Sequence, residues 1–175
     1  MTRIAEFEKV SFEQFKEAMM GMGGYCADEE FIQESYNNVS IPERATSGSA
    51  GYDFKLPFAI HLDTGEGIKI PTGIRVKIVD GWFLGCFPRS GLGFKYRMQL
   101  DNSVGIIDGD YFFSDNEGHI FAKITNDGKE GKSISLNARD SFMQGIFLPY
   151  GLTYTDDVKT ARNGGIGSTD NKLSE

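Results

Sequence analysis

The stretch Gln99-Leu100-Asp101-Asn102-Ser103-Val104-Gly105-Ile106-Ile107-Asp108-Gly109-Asp110-Tyr111 decides how this chain is interpreted. Alternation places Leu100 and Asn102 on one face of a strand, and Gly105 offers the backbone freedom that a tight reversal needs. Ile106 and Ile107 are then expected to anchor a return strand in the core. The pattern predicts a β-hairpin.

Asp108 directly follows the predicted return strand, beside an apolar wall. A carboxylate held in a fixed position there can aim its lone pair at one water molecule, which makes Asp108 a candidate general base. The alternative is a hairpin whose acidic side chains are merely solvated. This stretch by itself favours the alternative.

Composition limits the classes of function. The 175 residues, 39% of them hydrophobic, suit one domain of ordinary size, and the formal charge of −7 argues against sequence-independent nucleic-acid binding. Cys26 and Cys86 form no paired motif, and His61 and His119 are isolated, so no zinc site is indicated. Without a secretory signal or an apolar spanning segment, we expect a cytoplasmic protein with no membrane partner.

Two short helices are predicted before residue 39. Ser11 begins the first as an N-cap, Gln14 is expected to complete a capping box, and Gly21 ends the helix. The second begins after Asp28. Their Phe and Met side chains are expected to pack on the main domain or on a neighbouring molecule. Residues 1–38 are thus predicted to be a helical appendage, whose partner the sequence does not identify.

From Val39 onward, short β-prone runs alternate with glycine, which is typical of an all-β barrel or sandwich. The predicted strands are 60–62, 67–70, 73–79, 82–87, 120–125, 133–136 and 142–148. Residues 39–159 are therefore predicted to form one all-β domain. Residues 160–175 have little to bury and are predicted to be a flexible, Gly-rich tail unless a ligand orders them.

Further motifs carry polar groups suited to a metal ion or to phosphate oxygens. Asp53 ends the run Ser49-Ala50-Gly51-Tyr52-Asp53, in which Gly51 is expected to allow a backbone turn. Its carboxylate suits a hydrated Mg²⁺ ion, although an ordinary turn aspartate is the commoner explanation. Arg89, Ser90 and Gly91 follow a predicted strand, where such a loop can hold phosphate oxygens. A structural loop with a surface arginine is the alternative.

The tail motif Arg162-Asn163-Gly164-Gly165-Ile166-Gly167-Ser168-Thr169 combines glycine with one arginine. This composition suits a lid that closes over phosphates, because exposed N–H groups and a guanidinium both meet negative charge. A disordered terminus is the alternative.

Collectively, these motifs resemble those of the trimeric, all-β dUTPase family. Residues 45–54, 88–92, 105–111, the flanks of Gln144 and residues 162–169 resemble the five family motifs, in the family's order and approximate spacing. They span the chain from about Val39 to Thr169. The resemblance implies a distorted barrel or jelly-roll of short strands, to which the N-terminal helices are an addition.

The resemblance also implies a reaction. The enzyme would hydrolyse dUTP to dUMP and pyrophosphate in nucleotide metabolism, with Asp108 activating the attacking water at the α-phosphorus. Mg²⁺ would be chelated by the triphosphate, and Asp53 would touch its waters. Family members are homotrimers whose subunits share each site, so a homotrimer is expected. The implied substrate-binding residues are Arg89, Ser90, Gly91 and Gln144 at the phosphates, Asn102, Ile106 and Ile107 at uracil, Tyr111 at the deoxyribose, and Arg162, Ile166 and Gly167 in the lid.

Four features depart from the family pattern. Ile166 stands where an aromatic ring usually stacks on uracil, and Ser141 stands where an arginine usually precedes the glutamine of the fourth motif. Residues 112–117 lengthen the loop before Gly118. Asp170 replaces the final glycine of the tail motif.

Two other functions stay open at this point. One is a dUTP-binding regulatory module that signals through the N-terminal helices, since a fold does not settle a function. The other is a dCTP deaminase-like enzyme, which needs a glutamate at the pyrimidine, and the sequence offers no clear counterpart. Release of pyrophosphate by the purified protein separates a hydrolase from a regulatory module.

Overall fold

The protein is described by a computed structural model over residues 2–22, 28–128 and 131–160. Its helices are α1 (Phe12–Met20), α2 (Glu29–Asn38) and α3 (Ser90–Tyr96), with a 3₁₀ helix at Gly109–Phe113. Its strands are β1 (Ala5–Lys9), β2 (Glu43–Arg44), β3 (Tyr52–Lys55), β4 (Ile60–Leu62), β5 (Gly67–Pro71), β6 (Ile74–Ile78), β7 (Trp82–Pro88), β8 (Met98–Leu100), β9 (Gly105–Ile107), β10 (Phe121–Asn126), β11 (Ile134–Leu136) and β12 (Ser141–Pro149).

The strands form antiparallel sheets. The largest has the order β2-β3-β12-β7-β9, a second has the order β5-β10-β8, and β1-β6 and β4-β11 are two-stranded. Strand β5 shows why the sequence folds this way, because Ile68 and Ile70 are buried while Lys69 between them is exposed. The prediction of an all-β fold is confirmed. Each predicted strand is found, with ends that differ by no more than one residue.

One hydrophobic cluster joins the sheets to the N-terminal helices. Phe54 and Phe142 of the five-stranded sheet belong to it, together with Phe15 and Met19 of α1 and Ile32 of α2. Each such burial contributes about 1.5–3 kcal/mol of hydrophobic stabilisation. The expectation that the helices pack on the main domain is therefore confirmed. None of the described helices has the length and apolarity needed to cross a membrane.

The N-terminal segment also contains a strand that the sequence reasoning missed. Strand β1 pairs with β6 from Ala5 opposite Ile78 to Lys9 opposite Ile74. The expected capping box at α1 is only half correct: the Ser11 hydroxyl accepts a hydrogen bond from the Gln14 N–H, but the Ser11 N–H donates to the Glu117 carboxylate instead of the Gln14 side chain. The division of the chain at residues 38 and 159 stays a prediction.

The predicted hairpin at Gln99–Tyr111 is wrong. Strand β8 pairs with β10 and strand β9 pairs with β7, so this stretch crosses from one sheet to another. The reversal falls at Ser103, which has a φ of 63°, and not at Gly105. Ile107 is buried as expected, but Ile106 is 53% exposed and does not anchor the core.

His119 is a buried titratable side chain in the part of the fold that joins β6, β10 and α1. Its Nε2 accepts a hydrogen bond of 2.9 Å from the Gly73 N–H, and its ring packs near those of Phe15 and Phe121. Its Nδ1 has no hydrogen-bond partner among the described residues. Burial lowers the pKa of His119 to about 4, although the nearby Glu117 carboxylate acts in the opposite direction.

Lowering the pH from 7 to 4 should therefore reduce the free energy of unfolding. The unfolded chain binds a proton at His119 near the ordinary histidine pKa of 6.5, whereas the folded protein binds it only near pH 4. Stabilisation by the neutral ring is thus fully present above the unfolded pKa and is lost as the pH falls towards the folded one. The difference between these two pKa values corresponds to about 3 kcal/mol in the free energy of unfolding. Urea denaturation at a series of pH values measures it.

The variant His119→Gln keeps an acceptor for the Gly73 N–H but removes the titrating ring. Its unfolding free energy should depend less on pH in this window. His61→Gln is the matched control, because the His61 side chain is largely exposed. An equal pH dependence in His119→Gln and the parent protein would contradict the explanation.

Candidate active site

Three side chains predicted from separate motifs meet at one end of the five-stranded sheet. Gln144 of β12 lies opposite Asp53 on β3 and opposite Phe87 on β7. The Arg89 Nε lies 3.3 Å from Asp53 Oδ1, and the Gln144 Nε2 donates to the Pro88 carbonyl over 3.2 Å. The antiparallel register of β3, β12 and β7 thus assembles a cation, a carboxylate and an amide on one surface. This group of Asp53, Arg89 and Gln144 is called the polar cluster below.

Gly51 is needed for close packing against this cluster. A Cβ atom at Gly51 would lie 2.6 Å from Gln144 Oε1, and the φ of Gly51 is not in the left-handed region. The expectation that Gly51 serves a backbone turn is therefore wrong. Its lack of a side chain leaves room for the Gln144 amide.

Ser90 and Gly91 lie in a short helix instead of the expected loop. Helix α3 begins directly after Arg89, and both residues are exposed in its first turn. The first N–H groups of a helix have no partner within the helix, so they are directed towards whatever lies at its start. The structure brings this turn next to the polar cluster, because Arg89 belongs to both.

Asp108 lies at the other end of β7. Strand β9 pairs with β7 so that Ile107 lies opposite Leu84, and Asp108 follows Ile107. Arg89 follows the last residue of β7. At about 3.3 Å per residue, the stretch from Leu84 to Arg89 spans about 16 Å. Within one chain, the structure therefore does not bring Asp108 to the polar cluster.

A cavity of about 330 Å³ lies beside Asp108. The half-buried Asp108 begins the 3₁₀ helix, and Gly109 packs close to the Ile78 carbonyl of β6. The cavity wall includes Trp82 and Tyr150, which sequence reasoning did not select. Trp82 is the first residue of β7, and Tyr150 directly follows β12. Their positions therefore depend on the register of these two strands and not on any local motif.

A second cavity, of about 520 Å³, opens at Asn102. The other lining residues come from β5, from β10, from the residue after β8 and from the loop after Tyr111; they are Lys69, Asp101, Asn116, Phe121 and Lys123. The Lys123 ammonium lies 2.8 Å from the Asp101 carboxylate. Hydrogen bonds from Lys123 and Thr125 hold the pKa of Asp101 below its ordinary value. Sequence reasoning found only Asn102, because the remaining residues converge from distant strands.

Tyr111 is a core residue of the described chain, with 2% of its surface exposed. Its hydroxyl donates to the His119 carbonyl over 2.7 Å and accepts a hydrogen bond of 2.9 Å from the Asn116 amide. Both contacts fix the Tyr111 hydroxyl, and one of them comes from Asn116, which lines the cavity at Asn102. A contact between Tyr111 and a sugar stays a prediction.

Asp53 fits a metal ion bound through water. Its carboxylate is mostly buried and already pairs with Arg89. Within the described ranges, no group of three His, Cys, Asp or Glu side chains is arranged to hold a metal ion. Mg²⁺ keeps several water ligands and takes one or two carboxylates plus substrate phosphates, so a single carboxylate suits that mode. The predicted lid residues Arg162, Ile166 and Gly167 lie outside the described residues.

Known proteins resemble this chain in sequence and in fold. The dUTPase family profile matches residues 37–170. A deoxyuridine 5'-triphosphate nucleotidohydrolase of Lactococcus lactis subsp. lactis is 37% identical over 143 residues, which cover 79% of this chain and 94% of that protein. The crystal structure of a dUTPase from Streptococcus mutans is 33% identical and superposes with a TM-score of 0.61, covering 84% of this chain and 97% of that one.

A more distant structure, a mutant dUTPase of phage phi11 of S. aureus, is 22% identical with a TM-score of 0.57 and covers 70% of this chain and 92% of that one, so it shows the fold alone. The profile match spans most of the chain, and the Lactococcus relative matches over nearly its whole length. The chain therefore belongs to the dUTPase family of deoxyuridine 5'-triphosphate nucleotidohydrolases, which are enzymes of nucleotide metabolism.

Proposed function

We propose that this protein hydrolyses dUTP to dUMP and pyrophosphate, with Asp108 taking a proton from the water that attacks the α-phosphorus. The observation that carries the proposal is the convergence of Asp53, Arg89 and Gln144 on one surface beside the start of α3. Hydrolysis at phosphorus depends mainly on positioning and charge neutralisation. Arginine, amide and helix N–H groups in one place provide both.

The triphosphate is assigned to the polar cluster and to the first turn of α3. Arg89 presents its guanidinium, Gln144 its amide, and Ser90 and Gly91 their exposed hydroxyl and N–H groups. Mg²⁺ bound with the phosphates supplies charge neutralisation, and Asp53 is positioned to accept hydrogen bonds from its waters. A mutant dUTPase of phage phi11 coordinates a structural Mg(II) ion, so another protein of this fold binds the same metal.

The pyrimidine base is assigned to the cavity at Asn102. Asn102 and the backbone at Ile106 and Ile107 would bind the polar edge of uracil, with Tyr111 at the deoxyribose. Ile106 is 53% exposed, so a ligand can approach β9 at this residue. In the tail, Arg162, Ile166 and Gly167 are assigned to a lid that closes over the bound nucleotide.

Shared sites in a homotrimer explain the separation of Asp108 from Arg89. Both residues have to reach the same phosphate region, yet about 16 Å of β7 lies between their positions in one chain. A second copy that presents its own Asp108 to the polar cluster of the first removes the conflict. Closed cyclic symmetry then repeats the arrangement at every subunit boundary.

Asp108→Asn tests the general base. The variant keeps the size of the side chain but cannot take the proton, so dUTP turnover should fall by roughly a hundredfold or more while nucleotide binding persists. Pyrophosphate release from dUTP, with every other dNTP and UTP compared, measures activity and specificity. Asp115→Asn, on the exposed loop that follows, is the matched control. Near-normal turnover in Asp108→Asn would rule out Asp108 as the base.

Mixed assemblies test the sharing of sites. Asp108→Asn and Arg89→Ala chains, each nearly inactive alone, are refolded together in equal amounts. With random assembly, about a quarter of the sites combine an intact Asp108 with an intact Arg89 from the neighbour. About a quarter of the parent protein's activity should therefore return. No recovery, in a mixture shown by mass measurement to contain hybrid trimers, would place each complete site within one chain.

Gly51→Ala tests the placement of Gln144. The added methyl group would lie 2.6 Å from Gln144 Oε1 and should push the amide away from its position. Turnover should fall roughly tenfold, as expected for the loss of one hydrogen bond to a charged group, with little change in thermal stability. Gly48→Ala is the control, because a Cβ there meets nothing within 4 Å. Equal activities of the two variants would show that the Gln144 amide does not need this space.

A further inference from the structure

The loop that lengthens the third motif has a strained backbone. Glu117 and Gly118 are consecutive residues with positive φ values of 59° and 69°. Gly118 suits that region, but a residue with a Cβ atom such as Glu117 enters it at an energetic cost. A residue keeps such a conformation only where its surroundings fix it.

The Glu117 carboxylate is what fixes the loop. Its two oxygens accept hydrogen bonds from Ser11, one of 2.8 Å from the backbone N–H and one of 2.6 Å from the hydroxyl. Ser11 is the N-cap of α1, and the remaining capacity of its hydroxyl serves the Gln14 N–H. Burial by itself would raise the pKa of Glu117, but the bonds from Ser11 and nearby positive charge hold it below its ordinary value. The start of α1 therefore holds the end of the loop in position through these hydrogen bonds.

Asn116, the residue before Glu117, connects the contact between Glu117 and Ser11 to the cavity at Asn102. Asn116 lines that cavity, and its amide donates to the Tyr111 hydroxyl over 2.9 Å. The same hydroxyl donates to the carbonyl of His119, two residues after Glu117. A shift of Glu117 would consequently move Asn116 and His119, which both form hydrogen bonds with the Tyr111 hydroxyl.

The beginning of the loop contacts strand β6, which pairs with β1 of the N-terminal segment. The Arg75 guanidinium of β6 lies over the Phe112 ring, 4.3 Å from its centroid. Arg75 is itself bound by Glu8 of β1 at 2.6 Å. The end of the loop is thus bound to α1, and its beginning packs on Arg75 of β6, which Glu8 of β1 holds in turn.

We propose that Glu117 is a positioning residue through which the N-terminal helix α1 sets the affinity for the pyrimidine base. By holding Ser11, it keeps Asn116 in place at the cavity and in contact with the Tyr111 hydroxyl, although it does not itself touch the substrate. This role rests on the proposed function, in which that cavity binds uracil. Through this role the N-terminal segment affects how tightly the active site binds its nucleotide.

The test compares Glu117→Ala with the parent protein in the full chain. Calorimetric titration with a non-hydrolysable dUTP analogue should show a dissociation constant roughly tenfold higher, because Asn116 and its partners would have to be ordered when the ligand binds. Glu29→Ala removes an exposed carboxylate that pairs with Lys16 on α1 and does not involve the loop, so its dissociation constant should stay unchanged. Glu117→Gln retains one acceptor and should recover part of the affinity.

A double-mutant cycle with Tyr111→Phe separates positioning from a general loss of stability. If Glu117 acts through the Tyr111 hydroxyl, removing both should raise the dissociation constant less than the product of the two single effects. Multiplicative effects, or an unchanged dissociation constant in folded Glu117→Ala and Glu117→Gln, would overturn the positioning role. Turnover of dUTP by the parent protein is a separate readout: its absence would contradict the proposed reaction, while the binding data still decide the role of Glu117.

Discussion

The pairing of β12 with β3 on one side and with β7 on the other is the constraint on which the site depends. It extends from Met143 opposite Pro88 to Pro149 opposite Trp82, so the register of β7 is fixed along its whole length. A slip by one residue would turn every side chain of β12 to the opposite face. Gln144 would then leave the polar cluster, and Phe142 would leave the core.

Much of this arrangement could be predicted from the sequence, because it depends on local patterns. Alternating apolar residues located the strands, and Ser11 and Asp28 located the helix starts, where both are found as N-caps. The prediction of a hairpin at Gly105 was wrong for a physical reason. Alternation identifies a strand but carries no information about its partner, and β8 and β9 each find a better partner elsewhere.

The missed parts of the site depend on contacts between distant residues. Gly51 was expected to serve a turn, but its role depends on Gln144, which comes much later in the chain and packs against it. The partner of Ser11 is likewise 106 residues away and not in the next turn of the helix. Such pairs leave no periodic signal in one sequence. The polar cluster was found only because each of its members also belongs to a motif.

The separation of Asp108 and Arg89 along β7 bears on inheritance. In an assembly with shared sites, a chain damaged only at Asp108 disables one site and spares a second. Its intact polar cluster still completes that second site with a neighbour's Asp108. In such an assembly, a mixture of these chains with normal chains would lose activity in simple proportion to the share of damaged chains. In such an assembly, a chain damaged at both Asp108 and Arg89 would disable two sites, so activity would fall as the square of the intact share. Two lesions in one gene copy are thus more harmful to the cell than either lesion alone.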